Sequence, residues 1–360
     1  MYYKHQPWSD PNQSLPRVQL IDIAKGISIL LVVAGHTDAV RSTPELNRIL
    51  GTFRLPFFFF LSGIFFNSTR DIKTTLFGKS DALLKPYFST FLFVVAIQAM
   101  LDYSLLPGMI KGILYATGPM LPWRWAPLWF LPHLWLLFIF CWAYIRTVNY
   151  SKQPILAKMA NLAFFLLIGP LLLRAVGTVS FDIGGNEMFV SGLPFSMNLL
   201  LISAIYFLLG FTLHEQMVSF KPQRYGLLLA ILSFSLAQIF SRPRVDLNMR
   251  LYSPALIATV AALSGIYLTL SFAFLLQKSR IFCSSLSFIG AKSLYLFIFH
   301  VFFYQLSLST LQKAPFQTPM QLASWLSFIL CIALSLLLSG LIRRTPCLAP
   351  LYVPKKLLHR

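Results

Sequence analysis

Residues 20–40 read LIDIAKGISILLVVAGHTDAV, an apolar run that carries Lys25 and His36. A charged side chain and an imidazole are costly inside a bilayer-length helix, so an ionisable residue there is a functional candidate by default. Eleven residues separate the two. At about 100° per residue that is close to three full turns, which places both on one face, roughly 16 Å apart along the axis. Asp22 lies about one turn before Lys25 on nearly the same face. The spacing predicts a polar stripe down an otherwise greasy helix, facing protein or water and not lipid.

The same greasiness runs through all 360 residues, of which 57% are hydrophobic and 11% charged, with a mean hydropathy of +0.69. A soluble chain of this length needs about a quarter charged residues to clothe its surface. Long apolar runs recur from end to end, and runs such as LFIFCWAYI (137–145) do not alternate as barrel strands do. The expectation is an all-α integral membrane protein. Its bundle has about ten transmembrane helices at about 20 residues per crossing. They fall near 20–40, 52–67, 86–103, 127–146, 159–177, 193–213, 225–241, 252–276, 293–311 and 320–342. No loop is long enough for a separate soluble domain, and no internal repeat of the transporter kind is visible. The chain divides into an N-terminal segment, 1–19, a membrane bundle, 20–342, and a basic tail, 343–360. Residues 1–19 are polar, and the first apolar run holds the Lys25–His36 stripe, so no cleaved secretory signal is expected.

The net charge of +19 invites a nucleic-acid reading. The basic residues are spread over many short loops and not gathered on one face, so no nucleic-acid partner is expected. With the N-terminus inside, the 30 Lys and Arg divide two to one in favour of the cytoplasmic segments. That bias puts both termini in the cytoplasm. The outer cations that remain suit either an anionic acceptor or solvated loop ends. The four cysteines (Cys141, Cys283, Cys331, Cys347) show no metal spacing, and no metal site is expected.

His36 is the candidate general base, because imidazole titrates near neutral pH and can take a proton from a hydroxyl. Its structural alternative is a hydrogen bond to a neighbouring helix. Lys25 near the cytoplasmic mouth suits a phosphate-bearing donor as a point charge, or an ion pair with Asp22. In TFRLPFFFFLSGIFF (52–66), Arg54 either snorkels to the interface or helps hold an oxyanion. The loop NSTRDIKTTLFGKSDALLKPYF (67–88) is basic through Arg70, Lys73, Lys79 and Lys85, as topology or nucleotide phosphates would ask. WRWAPLWFLPHLWLLFIF (123–140) is rich in tryptophan, an interfacial anchor or a platform for sugar rings; Trp129 is the candidate contact. Within it, His133 reads as structural. SRPRVDLNMRLYSPALIATVAALSG (241–265) sets Asp246 and Arg250 at an outer turn, as acceptor contacts or a local ion pair. KSLYLFIFHVFF (292–303) carries His300, a packed histidine or a further acceptor contact.

These segments together resemble acyltransferase family 3, multi-span membrane enzymes that acylate cell-surface carbohydrates. Asp22, Lys25, Gly26, Val32 and His36 follow the family's first-helix pattern, the apolar positions around Ser28-Ile29-Leu30 only loosely. LPFFFFLSG (55–63) resembles its M-P-L-F-F-F-L-S-G through Pro56, Phe58, Ser62 and Gly63. PLWFLPHLW (127–135) resembles its W-F-L segment. VDLNMRLY (245–252) and SLYLFIFH (293–300) look like later segments of the fucose O-acetylase-like branch. The resemblance covers nearly all the spans. It implies acyl transfer, usually acetyl from acetyl-CoA, to a sugar hydroxyl. The family's histidine falls on His36 and its paired cation on Lys25. Two departures stand out: Arg54 replaces a histidine of many relatives, and Arg70-x-x-Lys73 is only the nearest approach to their R-x-x-R.

The expected function is therefore an O-acyltransferase of the bacterial inner membrane. It would act on lipopolysaccharide O-antigen, exopolysaccharide or a lipid-linked glycan precursor, with membrane lipids around it. Acyl-CoA is a donor substrate and no cofactor is bound. Expected donor contacts are Lys25, Asp22, Arg70 and Lys73. His36, Arg54 and Ser62 would do the chemistry, the last two at the oxyanion. Trp129, Asp246, Arg250 and His300 would meet the acceptor. The rival is a flippase that uses the stripe as a substrate path.

Overall fold

The computed structural model describes residues 18–183, 186–313 and 318–358. The expected segment 1–19 therefore lies almost wholly outside the described residues. The rest is a helical membrane bundle. Among the described residues, eight helices are long and apolar enough to cross a bilayer: Ile72–Leu101, Trp123–Thr147, Ile155–Ala175, Pro194–Thr212, Arg224–Ser241, Ala255–Leu276, Ser293–Lys313 and Met320–Arg344. Two more complete the ten expected segments. These are α1, Gln19–Ala34, and, after the short helix α2, Asp38–Arg41, the long helix α3, Pro44–Ile64.

The first helix differs from the continuous span expected over 20–40. It stops at Ala34, and Gly35 and His36 form a turn in which His36 N–H donates to the Val33 carbonyl. Sixteen residues at 1.5 Å rise give about 24 Å, short of the roughly 30 Å hydrocarbon core. Thr37 restarts the chain by capping α2, its hydroxyl accepting from Val40 N–H and donating to the Ala34 carbonyl at 2.7 Å. His36 thus lies beyond the helix, in the turn that follows it. Irregular backbone at this depth is tolerated where it lines a cavity.

Other departures have local causes. The third helix begins at Pro44, earlier than the apolar run suggests, because Pro at the first turn starts a helix whatever its polarity. A short helix, Arg280–Ala291, precedes Ser293–Lys313 and packs on α1. There Gly26 meets the Leu286 backbone and Gly290 the Asp22 carbonyl, and a Cβ at either would overlap main chain. The loop at 178–192 is a hairpin, with β1, Thr178–Ile183, antiparallel to β2, Asn186–Ser191. A second hairpin pairs β3, Arg244–Asp246, with β4, Leu251–Ser253.

The chain after Arg344 folds back onto the helix Ile72–Leu101. Lys85 Nζ donates to the Val353 carbonyl at 2.7 Å, Lys355 N–H to Asp81 Oδ2 at 2.7 Å, and the Thr90 and Tyr352 hydroxyls meet at 3.2 Å.

Candidate functional site

A cavity of about 280 Å³ opens at the end of the bundle where α1 gives way to α2. His36, Arg41, Asn47, Arg54, Trp129, Asp246 and Asn248 supply its polar and aromatic lining. They come from separate pieces of the chain. His36 rides the turn after α1. Asn47 and Arg54 are seven residues apart on α3, hence on one face. Trp129 ends a tight helical segment, Trp123–Trp129, held to Ser293–Lys313 by Trp125 stacked on Phe302 at 5.6 Å. Asp246 and Asn248 belong to the second hairpin, which the buried Tyr206–Tyr252 hydroxyl pair (2.6 Å) ties to the bundle.

Arg54 is not at the entrance of its helix, as a snorkelling residue would be. It sits halfway along α3, with Nη1 buried and without a hydrogen-bond partner. A Cβ on Gly35 would collide with that nitrogen, so the guanidinium lies where a side chain at 35 would stand. A desolvated guanidinium N–H with no partner is expensive. It is poised to donate to whatever enters.

His36 has two neighbours. Arg41 Nη2 lies 3.0 Å from His36 Nδ1. The His300 ring centroid is 5.0 Å away and tilted by 58°. His300 is buried, and its Nδ1 is 2.8 Å from the Phe297 carbonyl and 3.1 Å from that of Leu296. Its Nε2 is buried with no partner. The position of Arg41 is set through α2. Asp38 N–H donates to the Tyr304 hydroxyl at 2.7 Å and Ala39 N–H to the Ser324 hydroxyl at 2.8 Å. The sequence treats His300 as a lone residue; the fold pairs it with His36 across 264 positions.

Trp129 and Asp246, expected to meet the acceptor, do line this cavity. Asp246 Oδ1 accepts from Met249 N–H at 3.0 Å. Asn47 and Asn248, which sequence reasoning passed over, each bring a buried side-chain oxygen with no partner. Polar residues in an outer turn were the only signal for them.

Three expected residues do not line the cavity: His300, buried beside His36, and two that lie elsewhere, Arg250 and Ser62. Arg250 does not line the cavity: it donates to the Asn248 carbonyl, to the Ser191 carbonyl at 3.1 Å and to Ser196 Oγ at 3.4 Å, stitching the two hairpin regions. Burial pulls its guanidinium down to about 10. Ser62 lies two turns past Arg54 and donates to the Phe58 carbonyl at 2.8 Å, outside the cavity lining. Local satisfaction explains both. Outer cations are also spent nearby: Arg48 and Arg242 both pair with Glu45.

The expected donor residues lie toward the other end. The Lys25 ammonium stands 5.4 Å over the Phe65 ring, eleven residues and about 16 Å of helix beyond Arg54. Beside it the Lys79 ammonium lies 3.4 Å from the Phe138 ring centroid, and Phe138 packs on Phe66 at 5.6 Å. Two cations thus rest on one aromatic cluster. The loop carrying Arg70 is pinned by Trp142 and Arg146, which donate to the carbonyls of residues 68–70. Lys73 is exposed on the helix that Asp71 caps, and the Thr74 hydrogen bonds hold the Asp71 carboxyl below its ordinary range. Asp22 borders a 690 Å³ cleft with Lys278, Arg280 and Ser287. A second cleft, 640 Å³, is lined by Arg146, Lys152, Lys158 and Glu215. The fold brings Lys25 together with Lys79, and not with Lys73. His133 is enclosed, with Nε2 2.8 Å from Ser203 Oγ and Nδ1 3.2 Å from the Phe195 carbonyl. Among the described residues no group of three or more metal-ligating side chains gathers.

The arrangement is polar chemistry at one end of a bundle and half-buried cations on aromatic rings at the other. A family model described as an acyltransferase domain, that of acyltransferase family 3, matches residues 18–344. The chain belongs to this family of membrane acyltransferases. No curated protein and no solved structure matches it.

Proposed function

We propose that this chain is an O-acyltransferase of the bacterial inner membrane that moves an acyl group, acetyl in the first instance, from acyl-CoA to a sugar hydroxyl. The acceptor is a surface polysaccharide, such as lipopolysaccharide O-antigen or exopolysaccharide, or its lipid-linked precursor. The observation that carries the reading is the meeting of the His36 imidazole and an unpartnered, buried guanidinium N–H of Arg54 at one polar cavity, with a second imidazole, His300, 5.0 Å from His36. Acyl transfer to a hydroxyl needs a proton acceptor and donors aimed at the developing oxyanion, and these groups are of both kinds. Trp129 offers an aromatic edge for a sugar ring, and Asp246, Asn47 and Asn248 offer oxygens for its hydroxyls.

The donor comes from the side of Lys25 and Lys79. With both termini cytoplasmic, that side faces the acyl-CoA pool. Its phosphates meet Lys25, Lys79 and the cationic clefts bordered by Asp22 and Arg146, with Arg70 and Lys73 on the approach. Its pantetheine arm is long enough to reach toward His36. CoA is a co-substrate here, released after each turnover.

Deleting the protein and comparing surface glycans by NMR tests the reading. Loss of one O-acyl ester signal, with the polymer otherwise intact, is the expected result. Loss of the whole polymer would mark a flippase, and unchanged glycans would remove the assignment to surface polysaccharide.

A further inference from the structure

The charges on the cavity wall do not balance. Arg41 and Arg54 bring two guanidiniums to the lining, against the single carboxylate of Asp246. Asp246 Oδ1 is already engaged by Met249 N–H at 3.0 Å. Other cations at this end are spent within the fold. Arg48 and Arg242 share Glu45, and Arg250 donates to the Asn248 and Ser191 carbonyls. Among the described residues neither Arg41 nor Arg54 has an acidic partner. Two guanidiniums facing one space of about 280 Å³ repel each other, and an entering anion relieves them.

The two are not equivalent. Arg54 comes from the middle of α3 with Nη1 enclosed, which suits charge that develops at the reacting carbonyl. Arg41 is exposed, on a helix that the fold holds in place. Asp38 N–H donates to the Tyr304 hydroxyl, Ala39 N–H to the Ser324 hydroxyl and Arg41 N–H to the Thr37 carbonyl. A guanidinium carries several N–H donors in a flat fork and no acceptor. Arg41 spends Nη2 on His36 Nδ1 at 3.0 Å, and its side chain makes no other hydrogen bond among the described residues. One edge of the fork is therefore open, and such an edge matches a carboxylate or phosphate with paired hydrogen bonds. An anion seated there leaves the His36 contact intact. It also lies only a guanidinium's width from the imidazole, so it belongs to the sugar being acylated or to the one joined to it.

We propose that Arg41 is the anion contact of the acceptor, and that the acceptor is an acidic glycan whose acylated sugar carries, or is linked to, a carboxylate or a phosphate. This rests on the reading that the chain acylates a surface glycan. Trp123 and Trp129 in the same lining give the sugar ring a face to rest on while Arg41 fixes its acid group. A neutral glycan offers the fork nothing to pair with, so acidic repeats are selected over neutral ones.

The first test locates the ester. Glycan from wild-type cells and from cells lacking the protein is compared by two-dimensional NMR, and the ester that disappears is assigned to its sugar. It should lie on a residue that bears an acid group or on the residue joined to one. A uronate there identifies the carboxylate as the source, and coupling to phosphorus identifies the phosphate. An ester on a neutral repeat with no acidic neighbour would overturn the proposal and leave acyl transfer standing. No lost ester at all would overturn the surface-glycan reading, and the proposal with it.

The second test isolates Arg41. The full chain in lipid nanodiscs, with both faces open, is given acetyl-CoA and the unacylated glycan extracted from the deletion strain. R41Q should raise the apparent KM for that glycan about tenfold or more, the worth of a hydrogen bond to a charged group. Turnover at saturating glycan should stay within about tenfold of wild type. R41K keeps the charge and loses the fork, and should fall between the two. Added salt should raise KM for wild type and barely move it for R41Q. A residue that only holds His36 would change turnover and leave KM and its salt dependence alone, and that result would overturn the assignment.

Discussion

The guanidinium of Arg54 rests in the space that a side chain at Gly35 would fill, one residue before His36. Two elements with no local sequence link, the turn after α1 and the middle of α3, are thereby locked together at the cavity. The absence of a Cβ is what lets a charged group approach the backbone so closely.

Gly35→Ala should therefore push Arg54 off its seat. Ester formation is expected to fall by about 10²-fold, the lower figure for losing one oxyanion donor, while membrane insertion and abundance hold. NMR of surface glycan together with an immunoblot of the membrane fraction checks this. Unchanged ester would mean that Arg54 takes no part in the chemistry.

Arg41→Ala removes the guanidinium that donates to His36 Nδ1 and frees the ring to exchange tautomers. A loss of about tenfold is expected, since roughly 1.4 kcal/mol of preorganisation is at stake. Solid-state ¹⁵N NMR of histidine-labelled protein in lipid should show His36 as a mixture of tautomers. A single tautomer identical to wild type would show that something other than Arg41 sets the proton.

Lys25→Ala and Lys79→Ala should each raise the apparent KM for acetyl-CoA and leave turnover at saturating donor nearly unchanged, because the cations bind and do not react. Isolated membrane vesicles with acetyl-CoA titrated over a wide range give the measurement. An unaltered KM for Lys25→Ala would assign that residue to structure alone.

His133→Ala should cost stability without touching chemistry. It leaves Ser203 and the Phe195 carbonyl without their buried partner, at about 1–3 kcal/mol. Detergent-solubilised protein should melt several degrees lower, with ester per surviving molecule unchanged. A fall in ester per molecule with normal melting would give His133 a catalytic part.

Most of the fold was legible in the sequence because the bilayer imposes a length and an apolarity on every crossing, and all ten expected segments fall on helices. What escaped was set by contacts between helices. The break at Gly35 follows from Arg54, nineteen residues further on. The early start of α3 hides behind Glu45, Asn47 and Arg48, whose polarity lowers any hydropathy window. The site was half legible for the same reason. His36, Arg54, Trp129 and Asp246 are conspicuous as polar or aromatic groups beside apolar runs. His300 is equally conspicuous, but that it meets His36 is a fact of packing. Arg250 and Ser62 look as reactive in sequence as the others, yet each is satisfied by nearby main chain. Arg41, Asn47 and Asn248 look like ordinary loop polar residues until the hairpin and α2 are folded against α3.

The C-terminal stretch has a practical bearing on how this enzyme can be handled. Tyr352, Val353 and Lys355 are joined to Thr90, Lys85 and Asp81, and the last two lie within two turns of Lys79. An affinity tag or fluorescent fusion appended after residue 360 would pull on the helix that carries Lys79, which we propose meets the donor. Purification handles and crosslinking probes belong instead near Lys313, at the other end of the helix Met320–Arg344 that leads into this stretch.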